Sequence, residues 1–320
     1  MTDQTGLPVE IEAGTEVEPA PIERMADGVY EGQSMADYLS EPGRMSSSLL
    51  KESRKRSDLW LYQQLHDKAG VDDDTAAKRL GSVVHTAIFE PDLLEEEYFI
   101  LPQPDATIHT KADGSASSKP AGTAKYKEAC EAVRAENVGK KETGYDLMAK
   151  AMTMRDQVNS NDTASLLVQS EGMVEATILH TDSEFGIPWK IRPDKISDVA
   201  SANVNAKTTE NAKHDVFSHQ AFRFGYHISE SLYHWILNDA GIEVRNSLLL
   251  VVESTGAHEV VVYQQDEALM DMGLQLVMKY ARHIADAIER DEWKGLAVDI
   301  ELLHPPMYAF NKVDEELALP

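Results

Sequence analysis

What most constrains the fold is a block of β-branched, alternating residues in mid-chain: "GMVEATILHTD" from Gly172, "IPWKIRPDKISDV" from Ile187 and "ANVNAKTT" from Ala202. Alternation with period two and enrichment in Val, Ile and Thr suit a pleated, half-buried surface, so the three stretches predict three neighbouring strands. A second pair is predicted at "SLLLVVES" and "HEVVVYQ" around Gly256. Helical patterns lie on both sides of this block, which points to an α/β (α+β) domain: a central mixed sheet flanked by helices.

The helical patterns carry their own start and stop signals. Ser46 to Ser48 offer N-caps for a short helix, and Ser57 caps "DLWLYQQLHD", with Lys51, Arg54, Lys55 and Arg56 between them reading as a solvated basic face in preference to a phosphate contact. Thr75 caps "AAKRLGSVVHTAIFEP", where Leu80, Val83, Val84, Ala87 and Ile88 recur at helical spacing until Pro91 ends the run. Further helices are predicted near 125–137, 143–159, 214–240 with a break near Gly225, and from Glu267 to about Arg290. Residues 1–44 are acidic, contain Pro8, Pro19 and Pro21 and show no periodicity, which predicts a disordered tail before a domain over 45–320. The Gly/Ser/Ala-rich stretch 105–124 predicts a flexible insertion.

Composition narrows the function classes. The longest apolar run, Leu248 to Val252, is far short of the roughly 20 residues of a membrane helix, and the acidic N-terminus is unlike a signal peptide, so no membrane association and a cytoplasmic location are expected. A single cysteine, Cys130, allows neither an internal disulfide nor a thiolate cluster. The net charge of -25 disfavours nonspecific coating of nucleic acid, while a channel that concentrates Lys and Arg remains open to a phosphate backbone. The histidines follow no zinc spacing, and phosphate-loop and serine-elbow motifs are missing from the sequence.

One constellation carries chemistry. Asp194 ends one predicted strand, and Asn205 and Lys207, two apart on the next, face the same side toward it. Carboxylates can hold Mg²⁺ or Mn²⁺ for phosphodiester hydrolysis while a lysine orients water or stabilises developing charge. Glu175 on the preceding strand and His85 on the earlier helix complete such a shell, with Gly81 one turn before His85 permitting close backbone approach. Each has an ordinary reading as well: a histidine at a core edge, a turn-closing aspartate, a strand-end lysine and a solvent-facing glutamate. Tyr226 and Tyr233, seven apart, read either as core or as base-stacking residues.

The segments "MSSSLLK", "RLGSVVHTAIFEPDLLEEEY", "KIRPDKI", "AKTTENA", "YHISESLY", "VVVYQQDEALMDMG", "WKGL" and "HPPMYA", in that order from about Met45 to Tyr308, carry a family resemblance. The chain resembles the RecE-type nuclease domain, exodeoxyribonuclease VIII, of the PD-(D/E)XK superfamily, which implies a restriction-endonuclease-like core. The resemblance places the metal-site histidine on His85, the "RPDK" aspartate on Asp194, an acid on Glu175 and the "DVKTT" lysine on Lys207. It implies Mg²⁺ or Mn²⁺ held by His85, Glu175, Asp194, Asn205 and the carbonyl of Ala206, with Lys207, Asp194, Glu175 and Asn205 as the catalytic set. DNA contacts fall on Tyr226, Ser229 and Tyr233. Digestion of double-stranded DNA ends, a ring-shaped homo-oligomer and a RecT-like single-strand annealing partner, all in a phage or prophage setting, are also implied.

Two positions depart from that pattern: the family's aspartate is Asn205, and its "YxxQAxxY" glutamine is Ser229. An amide brings no negative charge to a cation, so the sequence leaves a weak or silent nuclease, an inactive relative that binds DNA ends or another protein and, ranked last, an acidic decoy that engages a DNA-binding partner through the net charge of -25. Two departures at separate motifs point to natural decay.

Overall fold

The computed structural model describes residues 24–66, 75–296, 300 and 302–317. The N-terminal part of the predicted tail, residues 1–23, lies outside them. Residues 24–44 do not belong to a disordered tail: they form strand β1 (Gly28–Tyr30) and helix α1 (Met35–Ser40). The reason lies in long-range partners. Arg44 is 4% exposed, ion-paired with Asp27 and Glu41 and bonded to the carbonyls of Met25 and Trp189.

Helices α2 (Ser47–Ser53), α3 (Asp58–His66) and α4 (Ala76–Phe89) follow, capped by Ser46, Ser57 and Thr75 as their sequences predict. After the short α5 (Leu94–Glu97), β2 (Tyr98–Ile100) pairs in parallel with β3 (Lys141–Thr143) beyond α6 (Ala124–Glu136). Between β2 and α6 the stretch 105–124 is largely irregular, ending in a single helical turn, and His109 within it is buried. Helices α7 (Tyr145–Ser160) and α8 (Asp162–Gln169) lead into the strand block.

The three predicted strand stretches are divided between two sheets. Strands β4 (Gly172–Val174), β7 (Lys195–Ser197) and β8 (Ala202–Thr209) join β9 (Asn246–Glu253) and β10 (Val260–Gln264) in a five-stranded sheet ordered β10-β9-β8-β7-β4. Strand β5 (Thr177–Thr181) instead pairs with β1 on one side and with β6 (Pro188–Ile191) on the other, in a separate three-stranded sheet. Two breaks allow this: Glu175, with φ 48°, turns the chain between β4 and β5, and Arg192, Pro193 and Asp194 turn it between β6 and β7. Only β8 and β9 run parallel among the five, so the central sheet is mixed and flanked by helices.

Alternation along β9 sends Leu250 and Val252 to one face, where they pack with Val83, Val84 and Ala87 of α4 and Met154 and Val158 of α7. Leu249 and Val251 go to the other, against Phe217 of α9 (His214–Arg223). Burying each such side chain contributes about 1.5–3 kcal/mol, enough to fix α4 on the sheet. Helix α10 (Tyr226–Asp239) packs against α11 (Glu267–Arg290), and Gly273 makes the crossing possible: a Cβ there would lie 2.2 Å from the carbonyl oxygen of His227. The last helix, α12 (Met307–Leu317), closes the described chain. Among the described residues no helix is long and apolar enough to cross a membrane.

Candidate active site

His85 lies on α4 one residue from the stripe that packs on the sheet, so its ring projects along the sheet's edge. The breaks that divide the strands bring two acids to it. Nε2 of His85 is 2.6 Å from Oδ2 of Asp194, and Nδ1 is 2.8 Å from Oε1 of Glu175. The two acids are also joined through the backbone, the N–H of Glu175 donating to the carbonyl of Asp194 at 3.1 Å. Glu175, expected on a strand, sits in the left-handed turn between two strands, and that turn aims its carboxylate at α4. Gly172 begins this strand with φ 133°, and a Cβ there would fall 2.0 Å from the carbonyl oxygen of Ile196.

Charge is densely paired around the imidazole. Burial alone would lower the His85 pKa, but the charges and hydrogen bonds of Asp194 and Glu175 override it and push it up to about 10. Burial works to raise the Asp194 carboxyl, yet His85, Lys207 and the N–H of Ala206 at 2.5 Å hold it below the usual carboxylate range. Arg192, 9% exposed, donates from Nε to Oε2 of Glu175 at 2.7 Å and from a terminal nitrogen to the carbonyl of Gln33 and to Thr177.

His85, Glu175 and Asp194 each present a ligand atom, all within 4.8 Å of one another. Oε1 of Glu175 is buried, and its near polar neighbour is Nδ1 of His85 at 2.8 Å. Two buried or half-buried carboxylates and an imidazole nitrogen, converging within 4.8 Å, fit a hard divalent cation such as Mg²⁺ or Mn²⁺. In the protein alone the imidazolium takes the place of that positive charge.

The remaining expected residues are placed differently. Asn205 is 2% exposed; its Oδ1 accepts the N–H of Asp194 at 3.3 Å and its Nδ2 donates to Glu230 at 2.7 Å. The carbonyl of Ala206 accepts from Nζ of Lys207 at 2.9 Å. Lys207 itself stands over the Tyr226 ring, 5.4 Å from its centroid, and its charge acts on both Asp194 and Glu230. Tyr226 is therefore beside the site, whereas Tyr233 packs against the hydrophobic core and Ser229, 8% exposed, contacts the carbonyl of Gly225 on its own helix. Gly81 lines the cleft but is not required for close approach, since an added Cβ would meet only Thr208 at 3.9 Å.

Two residues were missed from sequence. Lys51, read as part of a solvated basic face, is pulled down to about pKa 8 by burial and by the neighbouring charge of Lys207. Glu230, 1% exposed, accepts from Asn203, Asn205 and Ser247. Its one sequence signal was an acid between two serines in a helix whose neighbours are otherwise apolar or aromatic.

The His85 site opens on a cleft of about 1130 Å³ between α4, the segment around Gln33 and the β2–β3 pair. Lys78, Arg79 and Lys141 line it together with His85, Glu175 and Asp194. A split mixed sheet with an acid at the break, an acid–histidine cluster and a lysine on the adjoining strand defines a PD-(D/E)XK-like domain. The chain belongs to the family described as a PDDEXK-like domain of unknown function, DUF3799, whose model matches residues 46–304. Among solved structures it is similar in fold to a protein from Eubacterium rectale assigned as an exonuclease, with 14% identity, 88% of this chain and 97% of that chain covered and a TM-score of 0.55. A phage-related exonuclease from Haemophilus somnus 129PT matches with 13% identity over 58% of this chain and 92% of that one, with a TM-score of 0.26. No curated protein matches the chain.

Proposed function

We propose that this protein is a divalent-metal-dependent deoxyribonuclease that degrades double-stranded DNA from its ends, of the RecE type. The observation that carries the proposal is the convergence of His85, Glu175 and Asp194 within 4.8 Å, with the charge of Lys207 acting on the same aspartate. Phosphodiester cleavage at neutral pH needs a nucleophile, a counter-charge for the phosphoryl oxygens and a positioned proton carrier. A bound Mg²⁺ or Mn²⁺ supplies Lewis acidity and lowers the pKa of water.

The chain's own groups do the rest. Arg192 fixes the Glu175 carboxylate and the Ala206 N–H fixes that of Asp194, so the residues that would hold the cation are oriented in advance. Lys207, fixed between the Ala206 carbonyl and the Tyr226 ring, orients the attacking water and offsets charge developing on the phosphate. Lys78, Arg79 and Lys141 line the cleft among acids that include Glu90, Glu97 and Glu142, with Lys141 paired to Glu97 at 2.7 Å, so basic groups for a phosphate backbone stand in a cleft of mixed charge. By the same resemblance the setting is phage recombination in a host cytoplasm, with a homo-oligomeric ring and a single-strand annealing partner.

The test is degradation of end-labelled linear double-stranded DNA with Mg²⁺ or Mn²⁺, comparing the native chain with His85→Ala and Lys207→Ala. Release of label that both substitutions abolish is the expected result. Loss of Ser229's counterpart amide favours the rival, an inactive DNA-end-binding module, and DNA binding without cleavage in every metal would select it.

A further inference from the structure

Resting on the nuclease reading above, the geometry points to Glu230 as the carrier of the negative charge that position 205 lacks, so that Asn205 and Glu230 form one charge-transposed pair.

The argument begins with the polarity of an amide. Asn205 can offer an acceptor at one end and a donor at the other, and both ends are used: Oδ1 receives the N–H of Asp194 at 3.3 Å, and Nδ2 donates to Oε2 of Glu230 at 2.7 Å. The same Oε2 accepts from Nδ2 of Asn203 at 2.8 Å and from Oγ of Ser247 at 3.0 Å. Burial and the charge of Asp194 raise the Glu230 pKa, while the three donors converging on one oxygen and the charge of Lys207 act against them and favour the carboxylate.

An aspartate at 205 would have no proton to give Glu230. Two carboxylates would then face each other at hydrogen-bond distance where Asn205 is 2% and Glu230 1% exposed, an arrangement that one of them must relieve by protonation or movement. The site therefore accepts one acid across the two positions, and in this chain the acid stands on the helix while the amide stands on the strand. Asn205 is thus matched to its neighbour, and decay is not needed to explain it. Glu230 does not touch the cluster of His85, Glu175 and Asp194 by any bond seen here; it acts through Asn205, which holds the Asp194 backbone, and through the charge of Lys207. It is a positioning residue.

A reciprocal swap tests this. In the Asn205→Asp/Glu230→Gln protein, the glutamine amide can donate to the new aspartate while its oxygen accepts from Asn203 and Ser247, so the pair keeps its bonds with the charge moved to the strand. Four full-length proteins, native, Glu230→Gln, Asn205→Asp and the double variant, are compared by Mn²⁺ calorimetry, thermal melting and DNA degradation. Glu230→Gln is expected to weaken Mn²⁺ binding by about tenfold or more and to slow degradation. Asn205→Asp is expected to lower the melting temperature, and the double variant to regain Mn²⁺ affinity and melting temperature to near native.

Native Mn²⁺ affinity in Glu230→Gln would overturn the pairing, as would an Asn205→Asp protein that binds Mn²⁺ more tightly at an unchanged melting temperature. A double variant no better than the weaker single variant would overturn it too. If the native chain degrades no DNA in any metal while Mn²⁺ affinities follow the swap, the nuclease reading falls and the pairing stands. If the native chain degrades DNA and Glu230→Gln leaves affinity untouched, the reverse holds.

Discussion

Glu175 and Asp194 sit 19 positions apart in the chain, yet the N–H of one donates to the carbonyl of the other at 3.1 Å, and their carboxylates take opposite nitrogens of a single imidazole. The acids are thus positioned by backbone pairing before any ligand arrives. His85→Ala removes the nitrogen ligand and the imidazole between the two carboxylates, leaving Arg192 on Glu175 and the charge of Lys207 on Asp194. Mn²⁺ affinity should fall about 10- to 100-fold, measured by calorimetry on a protein whose circular dichroism stays native. Unchanged affinity would remove His85 from the cation site.

Lys207 is engaged with the Ala206 carbonyl and the Tyr226 ring and acts on Asp194 through its charge, without being one of the three converging ligand groups. Lys207→Ala should therefore separate binding from chemistry. Degradation should drop on the order of 10²- to 10⁴-fold, the scale of a lost proton-handling group, while Mn²⁺ affinity changes little. A matching loss of both would make Lys207 a structural counter-ion.

Proton linkage gives a third expectation. Asp194 and Glu175 push the His85 pKa up to about 10, against an ordinary value of 6.5. Its folded pKa is raised, so its contribution to stability is fully present below about pH 6.5 and is lost as pH rises through about 10. A cation requires a neutral imidazole, and binding between those limits must expel about one proton. At pH 8, Mn²⁺ binding heats should depend on the buffer's ionisation enthalpy, and affinity should rise toward pH 9. Heats independent of buffer would contradict the linkage.

Arg192 is buried and bonded to Glu175, Gln33 and Thr177 at once. Arg192→Ala strands the Glu175 carboxylate in the interior. The loss should be about 3–5 kcal/mol of unfolding free energy in urea titrations, well beyond that of an exposed ion pair. A change under about 1 kcal/mol, the scale of a surface pair, would show that water reaches Glu175 readily.

Gly172 fixes the turn that aims Glu175. With φ 133° and only 2.0 Å between an added Cβ and the Ile196 carbonyl oxygen, Gly172→Ala forces β4 away from β7. Destabilisation should exceed about 1 kcal/mol, and Mn²⁺ affinity should fall with it because Glu175 moves. A stable Gly172→Ala protein with weakened Mn²⁺ binding would place the strain locally in the site.

Helices α2 to α4, α6, α7 and α9 to α11, the caps at Ser46, Ser57 and Thr75 and the break at Gly225 were legible because each depends on neighbours within a few positions, whereas the short strands β1, β2 and β3 and helices α8 and α12 were not foreseen. Residues 24–44 were misread for the opposite reason. Their acidic, proline-bearing surroundings suggest disorder, but Arg44 and Asp27 find partners on β5 and β6 that no local pattern announces.

The sequence by itself determined which chemistry was possible: His85, Glu175, Asp194 and Lys207 could be named because each falls in a motif or beside a strand end. The tertiary structure decided how they are used. It put Glu175 in a left-handed turn between two sheets, set Lys51 beside Lys207, and laid α10 on β8 so that Glu230 meets Asn205 across 25 positions of chain. Hydrogen-bond polarity and charge repulsion act only between groups brought within a few ångströms, and helix packing on the sheet, tightened by Gly273, sets those distances.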